Sequence, residues 1–240
     1  TNLQTLTGTL QSTVTEIYIT TVDNQSSLVY KVESQGYYEA NNINLDGQPG
    51  DLEVNMDTVS IIRSSDLATV SQEATIDINF CRDFLWFCID VSVGTLEVDQ
   101  SYSPPLEGYD FPLSVGESWS QEYTATTTFD GSSDYVDIPE DTVAQRTANY
   151  EVVSQGFSGV SYASCATSYN ISSTNADGED TGYKWFCPAV RGDVKMETIE
   201  SLGFTAVHSL SSYQATSRQK VIDIDIEFPL SPIDMDVSAW

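Results

Sequence analysis

Three observations predict an all-β, antiparallel fold. Runs of β-branched and aromatic residues alternate with polar ones, Gly, Pro, Asn and Asp clusters punctuate them at short spacing, and no stretch carries a long amphipathic-helix pattern. An antiparallel β-sandwich or a pair of curved sheets, built as two similar modules packed together, is the expected architecture.

The elements follow in order. Residues 3–22 (LQTLTGTLQSTVTEIYITTV) are rich in Thr, Val, Ile and Tyr. Strict alternation would put Val14, Glu16, Tyr18 and Thr20 on one face and Thr15, Ile17, Ile19 and Thr21 on the other. Apolar residues fall on both, as in a strand covered on two sides. The cluster Asp23–Ser27 predicts a turn before LVYKVES, and Asp46-Gly47 and Pro49-Gly50 mark another. Strand-like pieces follow at 52–62, 67–80 and 85–99. Within them TIDINF alternates strictly, with Ile76, Ile78 and Phe80 on one side. The stretch Tyr102–Trp119 contains Pro104, Pro105 and Pro112 and separates two lengths of β-type sequence. Beyond it, further strands are expected at 118–129, 147–155, 161–172, 182–187, 193–201 and 206–214. The cleanest is VIDIDIEF at 221–228, with Ile222, Ile224, Ile226 and Phe228 opposite Asp223, Asp225 and Glu227.

Three short matches recur in the same order: YKVESQG from Tyr30 with YEVVSQG from Tyr150, WFC at Trp86 with WFC at Trp185, and FPLS at Phe111 with FPLS at Phe228. They suggest a duplicated module, divided as 1–113 and 114–240, with 221–228 as a terminal extension strand. Phe111 and Leu113 are then core anchors.

The chain has 240 residues, with 36 acidic and 9 basic ones and a net charge of −27. Such a surface repels nucleic acid and anionic lipid headgroups, so neither is an expected partner. No apolar run is long enough for a membrane-spanning helix, and membrane insertion is not expected. The chain opens at Thr1 without Met, as expected of a mature form whose leader has been removed. Four cysteines, Cys81, Cys88, Cys165 and Cys187, fit two disulfides in an oxidising compartment. Of three connectivities, the local one, Cys81–Cys88 with Cys165–Cys187, is favoured because each pair can bridge a hairpin or neighbouring strands. An extracellular or cell-surface location is expected.

The run YSPP…DFPLSVGESW, then YEVVSQ, SYASCATSYNI and GYKWFCPAVRGDVKMET, resembles a loose family of uncharacterised secreted β-rich proteins, frequent in archaea. The family pattern FPL-x-VG-x-SW falls on Phe111-Pro112-Leu113, Val115-Gly116 and Trp119. Its Y-W-Y-C-P pattern falls on Tyr183–Pro188, then Val190 and Val194-Lys195. Ala189 replaces the family's acidic residue, and FSGVSYASC stands where the family has a G-T-F turn. The resemblance covers residues 60–213. It implies a secreted all-β fold with a curved sheet like that of periplasmic lipoprotein carriers, and no activity.

Candidate chemistry is sparse. His208 is the sole histidine, and no G-x-S-x-G elbow accompanies it, so an enzyme is not expected and His208 reads as a surface or edge residue. Calcium is the one cofactor the acidic loops suit, at Asp130, Asp134 and Asp137 and at Asp177, Glu179 and Asp180, although neither loop has EF-hand spacing. Asn24 and Asn170 head N-glycosylation sequons. The leading functional expectation is a structural subunit of an extracellular assembly: a filament, pilus-like fibre, sheath or surface layer. It would be a homopolymer joined by strand addition, with Ile222, Ile224, Ile226 and Phe228 filling a neighbour's groove. The alternative is a carrier module that binds an apolar ligand on a curved sheet.

Overall fold

The computed structural model of the chain describes residues 3–45, 48–84, 87–133, 137–160, 165–199, 205–214 and 219–229. Twelve strands follow one another: β1 (Leu3–Val22), β2 (Gln25–Leu45), β3 (Gln48–Arg63), β4 (Thr69–Phe84), β5 (Phe87–Leu106), β6 (Ser118–Ser133), β7 (Thr142–Gly156), β8 (Ser168–Thr174), β9 (Asp180–Cys187), β10 (Gly192–Ile199), β11 (Thr205–Gln214) and β12 (Gln219–Pro229). Each pairs with its successor, and β1 pairs antiparallel with β12 from Leu3↔Pro229 to Thr13↔Gln219. The sheet therefore closes on itself as an up-and-down barrel.

The all-β antiparallel expectation holds, while the sandwich is corrected to a barrel. The physical cause is the seam between β1 and β12. Once the last strand pairs with the first, there are no two sheets left to stack, and closure covers the edge of β1 from Leu3 to Thr13 that a sandwich must shield. The 113/114 division falls in the segment joining β5 to β6, and the residues on both sides supply strands to one closed sheet.

Alternation fixes the two faces of the wall. Inward-facing Leu6, Ala40, Ile43, Leu52, Val54, Ile78, Phe80 and Val93 form an apolar floor at the end that holds Leu3 and Pro229. Beside it Ala74, Ile76, Leu96, Val98, Phe129 and Ile138 pack together. The alternating β12 follows the same rule: Ile224 is buried, whereas Asp223 and Asp225 are exposed. The outward positions include Asp57, Asp77, Glu97, Asp99, Glu122 and Glu151, all exposed and in mid-strand. A barrel seated in a bilayer needs an apolar outer band between aromatic girdles, and a mid-wall charge there costs about 2–4 kcal/mol for Lys or Arg and somewhat less for acids. The outer wall carries these acids at mid-height.

Two glycines shape the floor. Gly8 stands opposite Tyr38, and the Tyr38 ring lies across both Gly8 and Gly36. A methyl at Gly8 would strike the Tyr37 carbonyl as well as the ring. The tyrosine covers the backbone that the glycines leave bare.

Both disulfides form in the local pairing, Cys81–Cys88 across the β4–β5 hairpin and Cys165–Cys187 between the β8 approach and the end of β9. Cys165 and Cys187 lie in a cluster with Val160, Val190, Val194 and Leu210, with Trp185 packed against it. Trp185 is thus an aromatic beside a disulfide; Trp86 lies outside the described residues.

Candidate binding site in the barrel interior

About eight strands enclose an interior that side chains alone can fill, or one small ligand; wider barrels hold cavities or channels. With twelve strands, several inward positions here stay accessible. Arg146 pairs with Tyr123 across the β6–β7 ladder and shares its inward face, yet remains exposed. Inward-facing Met56, Gln72, Gln100, Tyr102 and Tyr123 are only half-buried at mid-wall.

The upper interior is polar. Lys220, Ser12, Ser34 and Thr58 are consecutive partners across β12, β1, β2 and β3. Ser34 donates to Ser12 at 2.8 Å. Further round, Gln72, Gln100 and Thr127 continue the girdle, with Gln100 Nε2 donating to Thr127 Oγ1 at 3.1 Å and the Tyr102 hydroxyl donating to Gln100. Burial pushes Tyr102 up to about 12, and the charge of Arg146 pulls against that shift.

The stretch around Tyr109 closes this end. Its backbone is pinned at both sides. Glu107 N donates to Gln121 Oε1 at 2.7 Å, and Gln121 Nε2 donates to Pro105 O at 2.7 Å. Gly116 N donates to Val152 O, and Val152 N to Glu117 O. Arg63 joins the β3–β4 turn to this plug through Asp66 at 2.7 Å and Glu107 at 2.6 Å. Between the pins Tyr109 and Leu113 are buried against Val152, Ile171 and Phe186, with Trp119 and Tyr150 alongside. Phe111, expected as a core anchor, is 41% exposed and covers Tyr109 instead, at 5.5 Å between ring centroids. The stretch read as a junction between modules is a plug in one barrel.

Beneath the plug lies a cluster of charged groups. Lys184 points inward from β9, and its Nζ donates to Gly108 O at 2.6 Å, 4.2 Å from the centre of the Tyr109 ring and 4.9 Å from that of Tyr150. Lys220 reaches from β12 to the backbone carbonyl of Asp193. Burial holds both amines below their ordinary value, and the charge of Asp193 opposes the shift in each. His208, opposite Met196 and Ile224, is held below its ordinary value by burial and by Lys220. It was expected at a surface or edge and instead lines an interior strand. Asp193 faces Tyr109, whose ionisation is pushed up by burial first and by the charge of Asp193 second. Its Oδ1 is buried without a partner, as is Trp119 Nε1.

The rim is uneven. Beyond Thr13 no described strand pairs with the outer edge of β1, so Val14–Val22 overhang with β2 as their one neighbour. Ile17 and Ile19 stand opposite Tyr30 and Leu28, on the face that continues inward as Val32, Ser34 and Gly36. Ile17, Ile19 and Leu28 are 43%, 69% and 44% exposed. An apolar lip therefore overhangs Lys220, which lies one pair below the top of the seam.

The residues singled out from sequence are scattered. Asp130 accepts from Gly131 N, Asp137 is exposed, and Asp134 lies outside the described residues. Asp177, Glu179 and Asp180 occupy a turn organised by Asn175, whose Oδ1 accepts from Asp177 N and Glu179 N at 3.0 Å each. Among the described residues the one tight group of potential metal ligands is Cys81, Cys88 and Asp90, where both sulfurs are already in the disulfide. Asn24 is exposed in the β1–β2 turn, whereas Asn170 is half-buried in β8 with a buried Oδ1. Ile222 and Ile224 line the barrel; the side chains of Ile226 and Phe228 lie outside those described. The interior lysines carried one signal in sequence, namely that Lys184 sits among the aromatics of GYKWFC in a chain poor in bases. No family model, curated protein or solved structure matches the chain.

Proposed function

We propose that the protein is an extracellular carrier that holds an apolar or amphipathic ligand inside its barrel. The carrying observation is the layered interior: an apolar floor, a polar girdle above it, and a plug over both. At mid-wall the inward-facing Met56, Gln72, Gln100, Tyr102 and Tyr123 stay half-buried, the incomplete filling that a ligand site requires and a structural core avoids. The acidic outer wall keeps such a carrier dispersed, and its disulfides suit an oxidising exterior. Nile red, a neutral apolar dye, is expected to enter the folded protein at one per chain with blue-shifted emission. Absence of uptake by the oxidised, folded chain sinks the reading.

A second reading, subunit assembly by strand addition, draws on the free edge at Val14–Val22. The 221–228 strand expected as donor is engaged on both sides by β1 and β11, so it could serve a neighbour only by opening the barrel. Among the described residues no strand pairs with the overhanging edge of β1, which carries the exposed Ile17 and Ile19. On this reading negative-stain images of native material show fibres, and Ile19→Lys disperses them. Monomers alone in those images would remove it.

A further inference from the structure

The distribution of charge inside the barrel names the ligand's head, on the footing of the carrier reading above. The chain has 9 basic residues against 36 acidic ones. Among the described residues Arg146, Lys184 and Lys220 turn inward with His208, and Asp193 is the one carboxylate that turns inward with them. The interior thus has the opposite sign to the surface. Enclosed ammonium groups are normally matched by a carboxylate in contact, because an unpaired buried charge is costly. Here neither Lys184 nor Lys220 has a described carboxylate within ion-pair distance; each rests on a backbone carbonyl, Gly108 O and Asp193 O. An ammonium carries three donors, so each retains capacity for an acceptor. The positions are also directed. Lys184 lies under the plug between Tyr109 and Tyr150, Lys220 lies below the lip of Ile17 and Ile19, and the apolar floor lies at the far end.

We propose that Lys184 and Lys220 form the head site for an amphiphile with a single carboxylate, a long-chain fatty acid or a close relative, whose tail lies along the half-buried inward face of Leu6, Leu10, Val54, Met56, Ile76 and Ile78. The carboxylate adds a counter-charge to the single one, Asp193, that the fold sets among two lysines. The tail displaces water from half-buried apolar wall. The lip beside Lys220 gives the tail an apolar surface on which to enter.

The test uses the full, oxidised chain, with oleate and oleyl alcohol as probes that share a tail and differ in the head. Binding is read by isothermal titration and by the intrinsic fluorescence to which Trp119 contributes. Oleate is expected to bind at least about tenfold tighter than oleyl alcohol, the scale of one or two charge-assisted hydrogen bonds. The preference is expected to vanish in Lys184→Met/Lys220→Met while oleyl alcohol still binds. Equal affinity of the wild-type chain for the two probes overturns the head site and leaves the carrier reading standing. Binding of neither overturns both. The wild-type comparison needs no variant, so misfolding of the double variant cannot mask the answer.

Discussion

Phe186→Ala is expected to lower the unfolding free energy by about 4 kcal/mol, within the range for large-to-small changes at buried aromatics. Phe186 is 5% exposed and sits where the wall and the plug meet. Its ring centroid is 4.8 Å from that of Tyr109 and 5.3 Å from that of Phe111, both at tilted angles. Such aromatic contacts add roughly 0.5–1.5 kcal/mol each to what area alone gives. Ile171, Val152 and Leu113 belong to the same cluster and are held by strands or by the pinned plug, so the cavity can collapse only in part. Urea denaturation followed by circular dichroism measures the loss. Limited proteolysis should report a second effect, faster cleavage between 107 and 117 in the still-folded variant, because the plug loses its ring contact with β9. A loss below about 1 kcal/mol with an unchanged cleavage rate would show that the plug is not seated on Phe186. Phe111→Ala, at a half-exposed ring, provides the internal contrast and is expected to cost far less.

Removing the Cys165–Cys187 disulfide as a double alanine variant should cost about 3 kcal/mol, and removing Cys81–Cys88 about 2 kcal/mol. These values follow from the entropy of closing loops with sequence separations of 22 and 7. For a chain of this size the larger loss lowers the melting temperature by roughly 10 °C. The two bonds should also differ in access. Cys165 and Cys187 are fully buried among Val160, Val190, Val194 and Leu210, whereas Cys88 is exposed at the β4–β5 turn. A reductant titration with alkylation and mass spectrometry is expected to label Cys81 and Cys88 first, and Cys165 and Cys187 only near the unfolding midpoint. The reverse order would contradict the packing described here.

Strand identity was legible in the sequence where alternation is strict. Ile76, Ile78 and Phe80 in β4, and the isoleucines against Asp223 and Asp225 in β12, read correctly because one face meets apolar atoms and the other meets water. Closure was not legible. Alternation reports which side of a strand is buried, and it is the same for a sandwich and a barrel. What decides between them is the pairing of Leu3–Thr13 with Gln219–Pro229, and nothing local to either strand encodes its partner. The polar girdle was hidden for a related reason. Ser12, Ser34, Thr58, Gln72 and Thr127 look like outward residues in strands already rich in Ser and Thr, so these inward positions carried no apolar signature. The bulge between Val14 and Glu16 also breaks the strict alternation assumed for residues 3–22. Residues with apolar character on both sides, such as Ile17 and Tyr18, marked an overhang rather than a doubly covered strand. Lys184 and Lys220 read as ordinary bases because their role depends on which strands surround them.

The seam between β1 and β12 also sets the order of events during folding. Every other pairing joins neighbours in the chain and can form as a hairpin does, with a small loop to close. The seam joins Leu3 to Pro229, almost the whole length of the polypeptide, and its loop-closure entropy is the largest in the molecule. It forms last, after eleven hairpin-like steps have curved the sheet enough to bring its ends together. Until then the chain is an open, twisted sheet with two bare edges and an uncovered apolar face, a state prone to pair with its own kind. The net charge of −27 keeps such intermediates apart during that interval. The acidity of the finished barrel is, in this sense, a property its unfinished precursor needs more.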